Sequence, residues 1–163
     1  MSEPSLIIED SARFAREGDC VEGEVDGAGL RRVLPHLERS GDRLAFRAQG
    51  AIENGKLIVT LTVSGEVALR CQRCLSEMCF PLRIRSRLQL VEPGGDWPDE
   101  ELADDSLDAI EAARQLDLVA LIEDEVLLAL PISPRHEACE TPVYRNPTES
   151  QSPFASLARR MRH

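Results

Sequence analysis

The chain has 163 residues, of which 42% are hydrophobic and 29% charged, with a formal net charge of −10; that length supports one core without disulfides, and the composition excludes wholesale disorder. Aromatic residues make up only 4%, so the core has to be built from Leu, Val, Ile and Ala, and the stacking platform of single-strand RNA binders is missing. The acidic surplus repels a phosphate backbone at long range and restricts any nucleic-acid contact to a local basic patch.

The opening residues Met1-Ser2-Glu3-Pro4 lack the basic region and apolar run of a secretory signal. No stretch approaches the roughly 20 apolar residues of a membrane span. The expectation is a cytoplasmic protein, and in a reducing cytosol its five cysteines point to metal or redox chemistry more than to structural disulfides.

Residues 5–37 show no clear period apart from Leu30-Arg31-Arg32-Val33-Leu34, a short amphipathic run halted by Pro35. Leu44, Phe46 and Ala48 then alternate with polar neighbours, and Leu57, Val59, Leu61 and Val63 do so again after Asn54-Gly55. Two alternating runs around Asn-Gly predict a tight hairpin. Val67, Leu69 and Cys71 keep the period of two beyond Gly65, and Phe80, Leu82, Ile84, Leu88 and Leu90 resume it. These are antiparallel strands with one buried and one wet face. Between residues 92 and 108 the chain is rich in Asp, Glu, Pro and Gly and reads as an exposed loop.

Residues 117–130 carry apolar side chains at helical spacing, with Asp117 as N-cap and Pro131 as stop. Leu118, Leu121, Ile122, Val126, Ala129 and Leu130 form the apolar face, and Glu123-Asp124-Glu125 the wet one. After Cys139 the composition turns to Pro, Ser, Thr and Asn, which predicts a flexible tail. The tail ends in a short basic amphipathic stretch from Pro153 to His163 that includes Arg159, Arg160 and Arg162. The expected fold is a single α+β domain over residues 1–140, followed by the tail over 141–163. Its antiparallel sheet, flat or curled toward a barrel, is covered by one main amphipathic helix.

Two clusters could carry chemistry. Cys71-Gln72-Arg73-Cys74 sits where one strand ends and the next begins, a turn that lets two thiolates converge on one ion. His136 and Cys139, one turn apart after the helix, would complete a closed tetrahedral site for a structural Zn2+. The competing reading leaves the thiols unliganded, as small half-buried hydrophobes. Redox use of the Cys-x-x-Cys is disfavoured, because in a β-turn it lacks the helix N-terminus that activates such thiols.

The second cluster is basic: Arg70, Arg73, Arg83, Arg85 and Arg87, three of which share one face of a strand. Arginine suits phosphate through its bidentate fork. The competing reading is a solvated sheet face whose charges guard an edge or pair with the acidic loop. Three histidines, with no Ser-His-acid grouping and no Gly-rich phosphate loop, argue against an enzyme.

In order, the chain carries Gly65-Glu66-Val67-Ala68-Leu69-Arg70-Cys71-Gln72-Arg73-Cys74, an acidic loop, Leu116-Asp117-Leu118, Ile122-Glu123-Asp124-Glu125-Val126-Leu127-Leu128-Ala129-Leu130-Pro131, then Pro134, His136 and Cys139. From about residue 40 onward it resembles the YceD family of large ribosomal RNA subunit accumulation proteins. Pro153-Phe154-Ala155 followed by Leu157 resembles the family's ending, whereas Gln151-Ser152 departs from the Asn expected before that proline. The resemblance implies a role in synthesis, processing or stability of the large-subunit (23S) ribosomal RNA, without implying a mechanism. Its implied partner is ribosomal RNA or a ribosomal protein of the large subunit, with no membrane and no small-molecule substrate. The rival is a metal-stabilised protein-binding adaptor that makes no direct nucleic-acid contact.

Overall fold

A computed structural model describes residues 6–98 and 107–142. The tail beyond residue 142, with its basic end, and the acids Asp99, Glu100, Glu101, Asp104 and Asp105 lie outside the described residues.

The elements run β1 (Ile7–Glu9), α1 (Ser11–Glu17), β2 (Cys20–Asp26), β3 (Arg43–Glu53), β4 (Lys56–Arg70), β5 (Glu77–Val91), β6 (Asp108–Glu111), β7 (Gln115–Asp117) and α2 (Leu118–Ala129), with a single 3-10 turn at Leu34–His36. The main sheet has the order β2-β3-β4-β5-β6, and β1 pairs with β7 in a separate two-stranded sheet. Strands β2 to β5 are an antiparallel meander, and β6 joins β5 in parallel.

Alternation decides which face is wet. Leu44, Phe46 and Ala48 of β3, Val59, Leu61 and Val63 of β4, and Leu82, Leu88 and Leu90 of β5 point into the core, where all are buried. Their neighbours Ala45, Arg47, Ser64, Arg83 and Arg85 are exposed on the opposite face. Asn54 and Gly55 close the β3–β4 hairpin with φ of 51° and 77°, the two positive values that a tight turn matched to strand twist requires.

Both helices lie on the apolar face. Leu118, Ile122 and Val126 of α2 repeat at four-residue spacing and are fully buried; each such side chain contributes about 2 kcal/mol relative to exposure. Asp117 caps this helix, its side chain accepting from the N–H groups of Val119 and Ala120 at 2.9 and 3.2 Å. Helix α1 buries Ala12, Phe14 and Ala15 and lies directly on β3. A Cβ placed on Gly50 would stand 2.3 Å from the Phe14 carbonyl oxygen, so this contact between backbones exists only with glycine there.

Two expectations change. The sheet does not curl into a barrel: β2 and β6 remain separate edges, and β6 pairs in parallel with β5 only from Leu88 to Val91. The covering is shared by two helices, since α1 is seven residues long and its Ala12, Phe14 and Ala15 are too closely spaced to stand out as a helical stripe.

Strands β4 and β5 are each 15 residues long, roughly 50 Å at about 3.3 Å per residue, and remain paired from Leu57↔Leu90 to Arg70↔Glu77. Strand β3 reaches only as far as Gly65. The last stretch of the β4–β5 ribbon therefore projects past the meander. One side is braced where Ala68 accepts from Glu38 N–H at 2.8 Å and donates to Asp42 at 2.7 Å.

Candidate metal centre and basic sheet face

The projecting end of the ribbon closes through Cys71–Ser76. Cys71 N–H donates to the Ser76 carbonyl, and Leu75 N–H to the Cys71 carbonyl, both at 2.9 Å. To make so tight a turn Leu75 takes a left-handed φ of 64°, a conformation that costs a residue with a Cβ about 1–2 kcal/mol. The turn presents Cys71 and Cys74 on one side. From the end of α2, the chain through Pro131 to Cys139 returns beside this turn and is tied to it where Gln72 N–H donates to the Pro134 carbonyl at 2.8 Å.

This return brings four candidate ligands together. One donor atom each from Cys71, Cys74, His136 and Cys139 lies within 4.8 Å of every other. Cys71 Sγ is 3.8 Å from Cys139 Sγ, and Cys74 Sγ is 3.3 Å from His136 Nδ1. A tetrahedral zinc with bonds of about 2.3 Å to sulfur and about 2.0 Å to nitrogen sets its ligands about 3.8 Å apart for two sulfurs and about 3.5 Å for sulfur and nitrogen. The donor set therefore fits zinc in kind and in spacing. Cys71 is fully buried and the other three are half-buried, as expected of a closed site with no place for substrate.

The electrostatics favour thiolate at the centre of this cluster. Burial opposes ionisation of Cys71, but N–H groups of Cys74, His136 and Arg73 point at its sulfur and outweigh burial, holding its pKa down at about 5. Two of those donors, Arg73 N and His136 N, lie 3.4 and 3.5 Å from Cys71 Sγ. The Cys74 thiol is lowered chiefly by the Ser76 hydroxyl, 3.0 Å from its sulfur. His136 is raised by its bonds to the Cys71 and Cys74 sulfurs. Burial, followed by the neighbouring sulfurs, pushes Cys139 up. The lowered Cys71 and raised His136 are shifts by which thiolate and imidazolium favour one another, and a divalent cation that binds here displaces protons from the cluster.

The five arginines of the basic cluster divide. Arg70 is clamped by both oxygens of Glu38, at 2.9 and 3.2 Å. Arg73 donates to the Cys139 carbonyl at 3.4 Å, bracing the cysteine turn. Arg87 is ion-paired with Glu53. Arg83 and Arg85 stand exposed on the outer sheet face, opposite Ser64 and Thr62 of β4, and enter no ion pair or hydrogen bond among the described residues. Further across the face, Arg43 and Arg47 are neutralised by Glu24 and Glu22 of β2 at 3.3 and 3.6 Å. The positive surplus is thus confined to the β5 side, where β6 reaches no further than Leu88.

Among protein-family models, the one described as large ribosomal RNA subunit accumulation protein YceD matches residues 59–159, more than half of the chain. The chain belongs to the YceD family. No curated protein and no solved structure matches it.

The YceD match begins within β4 and takes in the cysteine turn, β5, α2 and the segment carrying His136 and Cys139, whereas α1 and β1 to β3 precede it. The family description ties the chain to accumulation of the large ribosomal RNA. No helix among the described residues is long and apolar enough to cross a membrane.

Some participants in this YceD site carry weak sequence signals. Ser76 was recognisable only as a hydroxyl two positions after Cys74. The N–H groups on Cys71 come from the backbone, which no side-chain pattern reveals. Ser64 and Thr62 join the arginine face through the β4–β5 register.

Proposed function

We propose that this chain supports accumulation of large-subunit ribosomal RNA as a binding factor without catalytic activity, in which Arg83 and Arg85 make phosphate contacts to 23S RNA. A structural zinc ion held by Cys71, Cys74, His136 and Cys139 fixes the projecting end of the same β4–β5 ribbon, further along from the two arginines. When bound, zinc supplies a four-coordinate cross-link between the cysteine turn and the segment after α2, and a closed ligand set offers no position for substrate. Arg73 steadies that corner through the Cys139 carbonyl.

The observation that carries the RNA half is that Arg83 and Arg85, on an open face lined by Ser64 and Thr62, have no partner among the described residues, while Arg70 and Arg87 are engaged by carboxylates. Unpaired guanidinium groups offer their fork to a phosphate without first breaking an ion pair. The net charge of −10 repels RNA elsewhere, which limits non-specific binding. In cells depleted of the protein, the 23S to 16S ratio is expected to fall and wild-type protein to restore it. A variant with Arg83→Glu and Arg85→Glu fails to restore it, and full rescue by that variant overturns the assignment.

A second reading, an adaptor for a protein partner, is favoured by Leu128, 82% exposed, and fully exposed Ile132 where α2 leads to the metal corner. Co-purification after exhaustive nuclease treatment separates the two: a large-subunit ribosomal protein retained in stoichiometric amount supports the adaptor, and its loss with the RNA supports direct RNA contact.

A further inference from the structure

Cys71 and Cys139 are separated by 68 positions in sequence, yet their sulfurs are 3.8 Å apart with no bond between them. A disulfide requires about 2.05 Å, so closure asks the two sulfurs to approach by less than about 2 Å. The other nearby thiol, Cys74, is engaged by the Ser76 hydroxyl at 3.0 Å and by His136 Nδ1 at 3.3 Å, so pairing through Cys74 has to break both contacts. Cys139 is half-buried and Cys71 fully buried, so an oxidant in solution meets Cys139 first.

We infer that Cys71 and Cys139 are a disulfide-forming pair in the metal-free chain, closed by a peroxide and replacing the ion with a covalent link across the same two segments. The inference rests on the zinc reading only for what the disulfide displaces. Cys139 sulfur attacks a peroxide oxygen and the O–O bond breaks; one oxygen stays on sulfur as a sulfenic acid and the other leaves as water with the thiol proton. Cys71 sulfur then attacks the sulfenic sulfur, the S–S bond forms, the S–O bond breaks and a second water leaves. Two thiols lose two electrons and two protons, and one hydrogen peroxide becomes two waters. Burial shields Cys71 from direct oxidation although its sulfur has the greater thiolate character, so access selects Cys139 for the first step and Cys71 acts as the resolving sulfur. The disulfide excludes zinc, because two of the four ligands are consumed, and it keeps the segment after α2 attached to the ribbon.

The test uses the full chain stripped of zinc, exposed to one equivalent of hydrogen peroxide, alkylated and digested with trypsin without reduction. Cleavage after Arg70, Arg73 and Arg135 leaves Cys71, Cys74 and Cys139 on three different peptides, with Cys79 on that of Cys74, so the Cys71–Cys139 linkage has a mass of its own. The Cys71–Cys139 linkage is expected to exceed every other pair several-fold, to persist in Cys74→Ser and to vanish in Cys139→Ser. Dominance of another pair, or sulfinic products in place of a disulfide, overturns the inference. Zinc titration of the reduced chain, run alongside, separates the two readings. Absence of zinc binding with the Cys71–Cys139 linkage formed removes the metal centre and leaves the disulfide standing, and stoichiometric zinc with another linkage does the reverse.

Discussion

The backbone N–H of Gln72 donates to the carbonyl of Pro134 at 2.8 Å, so the cysteine turn and the segment after α2 are joined by a bond that requires no ion. Chelation is therefore expected to loosen the corner without unfolding the sheet. Purified protein should hold one zinc per chain, and at free zinc 1,000-fold above its dissociation constant the ion stabilises by about 4 kcal/mol. A chelator should lower the melting temperature and leave the far-ultraviolet spectrum unchanged. Indifference of the melting temperature to chelation would remove zinc from the account.

Phosphate contact by two arginines has a signature in salt dependence. Replacing Arg83 and Arg85 by Glu should weaken binding to 23S fragments and reduce the slope of log affinity against log salt by about 1.5, given roughly 0.7 to 0.9 per phosphate. Arg70→Glu serves as the contrast: it breaks the exposed pair with Glu38, a loss of at most about 1 kcal/mol in stability, and should leave the slope as it was.

In the metal-free chain, Cys71 should show thiolate absorbance near 240 nm with a midpoint near pH 5, against an ordinary value of 9.0, and Cys71→Ser should abolish that transition. Because the folded value is depressed, the stability that Cys71 contributes is complete above pH 9. It shrinks as pH falls and is gone below about 5. His136, raised from 6.5, acts in the opposite sense: its contribution is complete below 6.5 and lost as pH rises through its folded value.

The contact of α1 with β3 allows no side chain at position 50. Gly50→Ala places a methyl group against the Phe14 carbonyl and Ala15 Cα, and such overpacking costs about 1–3 kcal/mol. Urea denaturation should show that loss with an unchanged slope. A loss below about 0.5 kcal/mol would mean that the helix shifts freely away from the strand.

Much of this fold was legible locally. Asn54-Gly55 specified its turn, the alternation at Leu44–Ala48 and Leu57–Val63 identified the core face, and Asp117 marked the start of α2. The spacing that suggested two halves of a metal site comes from a turn and a helix end, and their approach depends on the length of the β4–β5 ribbon. Arginine chemistry was visible as clustering, but which arginines are free was not. Glu38 lies 32 positions before Arg70, and Glu53 lies 34 before Arg87. The parallel entry of β6 and the pairing of β1 with β7 involve strands of three or four residues, too short to carry a period.

The small β1–β7 sheet imposes a schedule on the emerging chain. Ile7 pairs with Asp117 and Glu9 with Gln115, so β1 has no partner until β7, far downstream, has been synthesised. The β2–β5 meander closes through neighbouring strands and can assemble while synthesis continues, since local pairings form faster than distant ones. Helix α1 can settle on β3 in that interval, but Ile8 waits for α2 and β7 to enclose it. Completion of this part of the core thus waits on β7 and α2 rather than on the strands that precede them.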